Sequence, residues 1–131
     1  MVGGFYTDMI GDQHAFITEE KNGTWGNAIP VPGSITLNVG GIANVQNVSC
    51  PLAGTCAVSG FYTEANGNEQ IFVADEVNGT WGSAIRLPGP VSTGNNSGAH
   101  AACWSPGNCR AGGAIITSGH LQALVAAETS G

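Results

Sequence analysis

The chain repeats itself. Gly4-Phe5-Tyr6-Thr7 returns as Gly60-Phe61-Tyr62-Thr63. Glu20-Lys21-Asn22-Gly23-Thr24-Trp25-Gly26 returns as Glu76-Val77-Asn78-Gly79-Thr80-Trp81-Gly82, and Ile29-Pro30-Val31-Pro32-Gly33 as Ile85-Arg86-Leu87-Pro88-Gly89, always 56 residues on. A fixed period of this size marks a solenoid, a propeller or an array. Such a unit does not bury its apolar face alone, so the fold is decided by how the copies stack.

A third, partial copy follows at a slightly shorter spacing. Cys103 to Cys109 matches Cys50 to Cys56 at an offset of 53. The match runs on through Gly113 and Gly119, after which the offset is 52: Gln122, Leu124, Val125, Ala126, Glu128 and Gly131 echo Gln70, Phe72, Val73, Ala74, Glu76 and Gly79. The chain divides into a partial unit at 1–44, a complete one at 45–98 and a second partial one at 99–131. It starts and stops inside a repeat, with no secretory signal before Gly3 and no apolar run long enough to span a membrane. We read it as a fragment, an engineered piece or a unit that assembles with copies of itself.

The complete unit reads as four short strands, at 45–50, 56–63, 70–77 and 80–87. Turn signals separate them at hairpin spacing. Pro51 to Thr55 joins the first pair and Glu64 to Asn68 the second. Asn78-Gly79 joins the third, and Asn-Gly favours the type I′ turn because both central residues need positive φ. Pro88-Gly89-Pro90 ends the fourth strand, and a looser Gly/Ser/Asn segment at 92–99 leads onward. No stretch of ten residues carries a helical period with caps. Four antiparallel strands in a unit of this length is the arithmetic of a β-propeller blade. Ile71-Phe72-Val73-Ala74 is apolar on both faces, as a blade covered on both sides requires. The expected fold is therefore all-β, ten strands making two and a half blades. Known propellers have about four to eight, so further copies or further repeats are expected to complete the ring. Bare blade faces would otherwise remain as large apolar patches.

Composition supports that reading and excludes others. The chain is 42% apolar and only 9% charged, which is the reverse of a disordered segment. Its net charge of −6 and three basic residues exclude an electrostatic footprint for nucleic acid or anionic membranes. The four cysteines form two Cys-x5-Cys units, Cys50/Cys56 and Cys103/Cys109, each across a tight turn. Cross-strand neighbours come close enough for a disulfide, and x5 is wide for zinc, so two local disulfides are expected and no metal. They place the protein outside a reducing cytosol.

Chemistry-bearing motifs are few. His14, His100 and His120 have no nucleophile and acid converging on them in sequence and read as exposed loop residues. Glu64 to Glu69 places oxygen ligands around a glycine, but Asn and Gly are ordinary turn residues, so a hairpin turn is read in preference to calcium. Sequons begin at Asn22, Asn47, Asn78 and Asn95 and carry no functional reading. No cofactor is expected. The recurring side chains are of more interest. Glu20, Glu76 and Glu128 are the one acidic position present in all three copies, and Trp25/Trp81 and Tyr6/Tyr62 recur. These residues either pack between blades or form a glycan site there, with a sugar on an aromatic ring and a carboxylate accepting its hydroxyl protons.

The unit Cys-x5-Cys-x3-Gly-Phe-Tyr-Thr, an apolar strand, Asn-Gly-Thr-Trp-Gly and Pro-Gly resembles repeats of extracellular actinobacterial propeller proteins along nearly the whole chain. It is more weakly similar to short-chain propeller lectins of bacteria and fungi, some of which close a ring from two-blade subunits. Their sugar-binding Arg/Glu/Trp set has no counterpart here, because the arginines, Arg86 and Arg110, sit at unrelated repeat positions. WD and kelch signatures are not met. The resemblance specifies a repeat family and no activity; with the bare blade faces and the absence of a catalytic constellation, the expected function is a secreted, non-catalytic module for self-assembly, scaffolding or binding. The alternatives are a lectin with sites between blades and a part of a propeller enzyme whose site lies in other blades.

Overall fold

The structure, a computed structural model, describes residues 1–95 and 98–128. Gly131 and two residues of the sequon at 95–97 lie outside them. The elements in order are β1 (Val2–Thr7), β2 (Gln13–Thr18), β3 (Glu20–Lys21), β4 (Thr24–Trp25), β5 (Ile29–Pro30), α1 (Ser34–Leu37), β6 (Ala43–Leu52), β7 (Thr55–Thr63), β8 (Glu69–Val77), β9 (Thr80–Trp81), β10 (Ile85–Arg86), β11 (Gly98–Ser105), β12 (Asn108–Thr117) and β13 (His120–Ala127). The described residues are all-β apart from one turn of helix. Its three main sheets are antiparallel meanders ordered β1-β2-β5, β6-β7-β8-β10 and β11-β12-β13, with β3 and β4 forming a small hairpin. They stack face to face as blades do, and none closes into a barrel.

The turns follow from local chemistry. Asn22-Gly23 and Asn78-Gly79 both adopt positive φ (53° and 81°, 51° and 78°), the two-residue geometry that matches strand twist. Ser118-Gly119 does the same at 51° and 76°. That two-residue turn replaces the longer loop between β7 and β8 while each flanking strand gains one residue, so the repeat offset drops from 53 to 52 there. The disulfides Cys50–Cys56 and Cys103–Cys109 join adjacent strands with Cα atoms 4.1 Å apart.

The central sheet is covered on both faces because its strands alternate apolar residues outward on each side. Phe72, Ala74, Val58 and Tyr62 join Ala15, Ile17 and Val31 of the first sheet in one buried cluster. Ile71 and Leu87 join Ala99, Ile115 and Leu124 of the third. Ala57, Ala101 and Cys109 form a smaller cluster near the disulfides.

Two corrections concern the connections. The expected strand at 80–87 is interrupted, because its middle bonds elsewhere. Gly82 N–H donates to Asp75 O at 2.8 Å, and Ala84 N–H leaves the sheet to donate to Pro32 O of the first unit at 2.7 Å. The same break at Gly26, whose N–H donates to Glu19 O, splits the fourth strand of the first unit. The segment at 92–99 is not loose throughout. Ser92 is fully buried, exchanging hydrogen bonds with the buried Gln70 amide at 2.8 and 2.9 Å, and β11 already begins at Gly98.

The second and third sheets are also joined along their first strands. Side chains of β6 reach the free edge of β11: Ala99 N–H donates to Gln46 Oε1, Ala101 N–H to Asn47 Oδ1 and Cys103 N–H to Ser49 Oγ, at 2.8–2.9 Å. They satisfy an edge that would otherwise present unpaired amides. Asn47 thus has a structural role, its side-chain oxygen being engaged between the sheets. The combined change Gln46→Ala, Asn47→Ala, Ser49→Ala should cost about 1 kcal/mol per bond lost. Hydrogen exchange at Ala99, Ala101 and Cys103 should accelerate while that of Val58 does not. Unchanged protection at these three amides would show that the bonds contribute nothing.

Candidate functional site

Successive residues of a strand face opposite ways, so Asp75 and Glu76, adjacent on β8, serve different sheet interfaces. Glu76 lines a cleft of about 400 Å³ between the first and second sheets. Glu19, Lys21, Trp25 and Trp81 line it too. Asp75 and Glu128 line the corresponding cleft between the second and third sheets, about 140 Å³ and walled mainly by alanines and Leu87. Each sheet interface thus carries a pair of carboxyls, Glu19 with Glu76 and Asp75 with Glu128.

The first pair is the more buried. Glu76 is 2% exposed, and its Oε2 has no hydrogen-bond donor. Glu19 is held from outside by Lys21 Nζ at 3.2 Å, and that lysine is itself largely solvated. Burial pushes Glu76 up to about 7, reinforced by hydrogen bonding to Glu19 and by that group's charge, with Lys21 pulling the other way. Burial raises Asp75, and burial together with the charge of Asp75 raises Glu128.

This gives a pH dependence. The folded state holds a proton on Glu76 that the unfolded chain, with an ordinary carboxyl near 4.5, has already released. Stability from this site is full below 4.5 and is lost as pH rises through about 7. After allowing for solvent at the mouth of the cleft, the loss should be about 1–2 kcal/mol. Urea titrations at stepped pH should show falling midpoints over that window, with Glu76→Gln flattening the slope. Stability rising with pH would contradict the assignment.

The expected site residues divide. Trp25, Trp81 and Glu76 meet in the first cleft. Glu128 lies in the second, with no tryptophan. Glu20 is exposed and its Oε1 accepts the Gly23 N–H within the β3–β4 turn. Tyr62 is a core residue packed against the first sheet. Tyr6 is partly exposed, its ring 5.3 Å from that of His14. Glu19 was missed as a site residue. The signal was the acidic doublet Glu19-Glu20, repeated as Asp75-Glu76, whose first member faces the next sheet and whose second faces the preceding one.

The histidines are corrected as well. All three lie on strands, because the strands extend further than their apolar pattern. His14, on β2, is only 13% exposed, and its Nε2 meets Asp8 Oδ2 at 2.9 Å. His100 and His120 are exposed on β11 and β13. Asp8, Asp12 and His14 place three ligand atoms within 4.8 Å of one another. The geometry is that of a turn, however. Asp8 Oδ1 accepts the N–H groups of Ile10 and Asp12, and the Asp8–His14 bond recurs as Glu64–Gln70 at 3.2 Å one period on. Glu64 to Asn68 is likewise a hydrogen-bonded turn, with Gly67 at φ 86°.

Among the described residues no helix is long and apolar enough to cross a membrane. The two disulfides are of a kind typical of extracellular proteins. No family model, no curated protein and no solved structure matches the chain.

Proposed function

We propose that this protein is a non-catalytic, secreted assembly module, a run of propeller-type blades that takes further blades from other copies of itself or from additional repeats. The observation that carries this reading is the environment of one recurring glycine. A Cβ on Gly60 would lie 2.0 Å from Asn44 O of β6, and one on Gly113 would lie 1.6 Å from Gly98 O of β11. Each glycine exists to let a first strand approach. Gly4 is the same repeat position, yet a Cβ there would meet only the Phe16 ring at 3.2 Å. Among the described residues β1 pairs with β2 alone, which leaves its other edge open. The sequence keeps a glycine for a strand that the structure does not place beside it. The outer faces agree: Val2, Phe5 and Tyr6 on one end and Leu121 and Val125 on the other are exposed. Native mass spectrometry across concentrations tests this. Species of several chains are expected, and a monomer at every concentration would overturn the self-assembly reading.

A second reading is favoured by the first cleft. Trp25 and Trp81 beside Glu76 supply the ring and carboxylate that a glycan site between blades needs, in a volume within the range of small-molecule pockets. A glycan array tests it; binding to no sugar would sink it.

A further inference from the structure

The two clefts occupy equivalent places in the repeat but are built differently. The second is small and walled by alanines. The first is almost three times larger, carries two tryptophans and holds the more buried carboxyl pair. Its charges are unbalanced. Two carboxyls, Glu19 and Glu76, face one lysine, and Lys21 pairs with Glu19 rather than with Glu76. Among the described residues no amide, hydroxyl or lysine donates to Oε2 of Glu76, which is almost wholly buried and has only the Glu19 carboxyl as its polar neighbour in the pair. A buried carboxyl in that state is costly unless a proton or a cation completes it.

The surroundings say which cation. A calcium ion needs about six to eight oxygen ligands, and among the described residues no group of three metal-binding side chains includes either glutamate. The aromatic walls instead suit an organic cation. Indole faces attract ammonium groups, and Trp25, 55% exposed, leaves one wall open to solvent. Trp81 is packed against the core between the sheets, which holds its part of the wall in place. An organic cation meets carboxylates by its charge, and by hydrogen bonds where it carries N–H groups, while its carbon frame can lie along the indoles.

We infer that the cleft between the first and second sheets binds a small organic ammonium ligand, its cation seated against Glu19 and Glu76 and its carbon frame against Trp25 and Trp81. This rests on the reading of the cleft as a binding site and deepens it: the discriminating feature is a positive charge, not a sugar hydroxyl pattern. A neutral glycan would leave the carboxyl pair to the proton that Glu76 holds, whereas an ammonium ligand would take that proton's place. The second cleft, with no aromatic wall and little space, does not bind the same ligand.

Tryptophan fluorescence of the intact chain, with calorimetry for confirmation, tests this with two matched pairs: glucosamine against glucose, and choline against the neutral alcohol in which carbon replaces its nitrogen. Trp104 stacks with Arg110 away from the cleft and serves as constant background. In at least one pair the ammonium member should bind about tenfold or more tightly than its neutral partner. Glu76→Gln should erase that preference, and Trp25→Ala, at an exposed residue that leaves the core intact, should weaken binding of the ammonium member. Equal binding of glucosamine and glucose, with no preference for choline, would overturn the inference and leave the glycan reading standing. Choline bound while neither sugar binds would uphold the inference and remove the glycan reading. If none of the four binds, or if Glu76→Gln keeps the charge preference, the inference fails.

Discussion

Gly60→Ala should lower the melting temperature by roughly 10–15 °C, while Gly4→Ala, the same substitution one period earlier, should leave it nearly unchanged. At Gly60 the new methyl would sit 2.0 Å from the Asn44 carbonyl oxygen and 2.9 Å from the Phe72 ring. The oxygen belongs to β6, held by its register with β7 on one side and by the side-chain bonds to β11 on the other. Relief requires β6 to move away from β7, at a cost of about 3 kcal/mol for overpacking a backbone contact of this kind. At Gly4 the methyl meets only the edge of Phe16, a partly exposed ring that can shift by a few tenths of an ångström. Calorimetry of the two variants measures the difference. The same pair reports on assembly. Gly4→Ala should reduce or abolish the multi-chain species, because its methyl would occupy the place of an incoming strand. Equal destabilisation by the two substitutions would show that β1 is already covered and would remove the main support for assembly.

Phe72→Ala should cost about 3–5 kcal/mol, and Phe16→Ala about 1 kcal/mol. The residues share a repeat position, and their sequence neighbourhoods give no reason for different weights. Phe72 is fully buried between the first two sheets, against Ala15, Ile17, Val31, Val45 and Val58. Deleting its ring leaves a void that strand backbones cannot collapse into. Phe16 lines an outward-facing pocket with Tyr6, Ala28 and Pro30. Urea unfolding checks both values, and hydrogen exchange should show the first sheet losing protection first in Phe72→Ala. A small loss at Phe72 would mean that the first and second sheets do not depend on this contact. In an assembled state the cost at Phe16 should rise toward that at Phe72, because a further blade would cover it.

The strands and turns were legible because the residues that make them act over a few positions. Asn-Gly carries its own preference for positive φ, two cysteines six apart across a turn find each other, and the doubly apolar run at 71–74 states that both faces are covered. The antiparallel order of the first three strands of the unit and both disulfides followed. Less was legible where a backbone group bonds outside its own unit. Nothing local in Thr80 to Leu87 shows that Ala84 will donate to Pro32, so one strand was expected where there are two short ones. Ser92 looked like linker composition, yet it is buried by the reach of Gln70 from another strand.

The site divides in the same way. Sequence alone established that Trp25/Trp81 and the glutamates at 20, 76 and 128 occupy equivalent repeat positions, and that the chain is an all-β run of antiparallel sheets with two disulfides. Only the tertiary structure decided what each copy does. A repeat position is a place within one sheet, whereas burial depends on which neighbouring sheet lies against it. Glu20 faces solvent and closes a turn, Glu128 meets a narrow alanine-walled cleft, and Glu76 is buried in a cleft that it shares with Glu19 and two tryptophans. The same reasoning separates Gly4 from Gly60: sequence makes them equal, and the presence or absence of a strand beside each makes one indispensable to the fold and the other available for a partner.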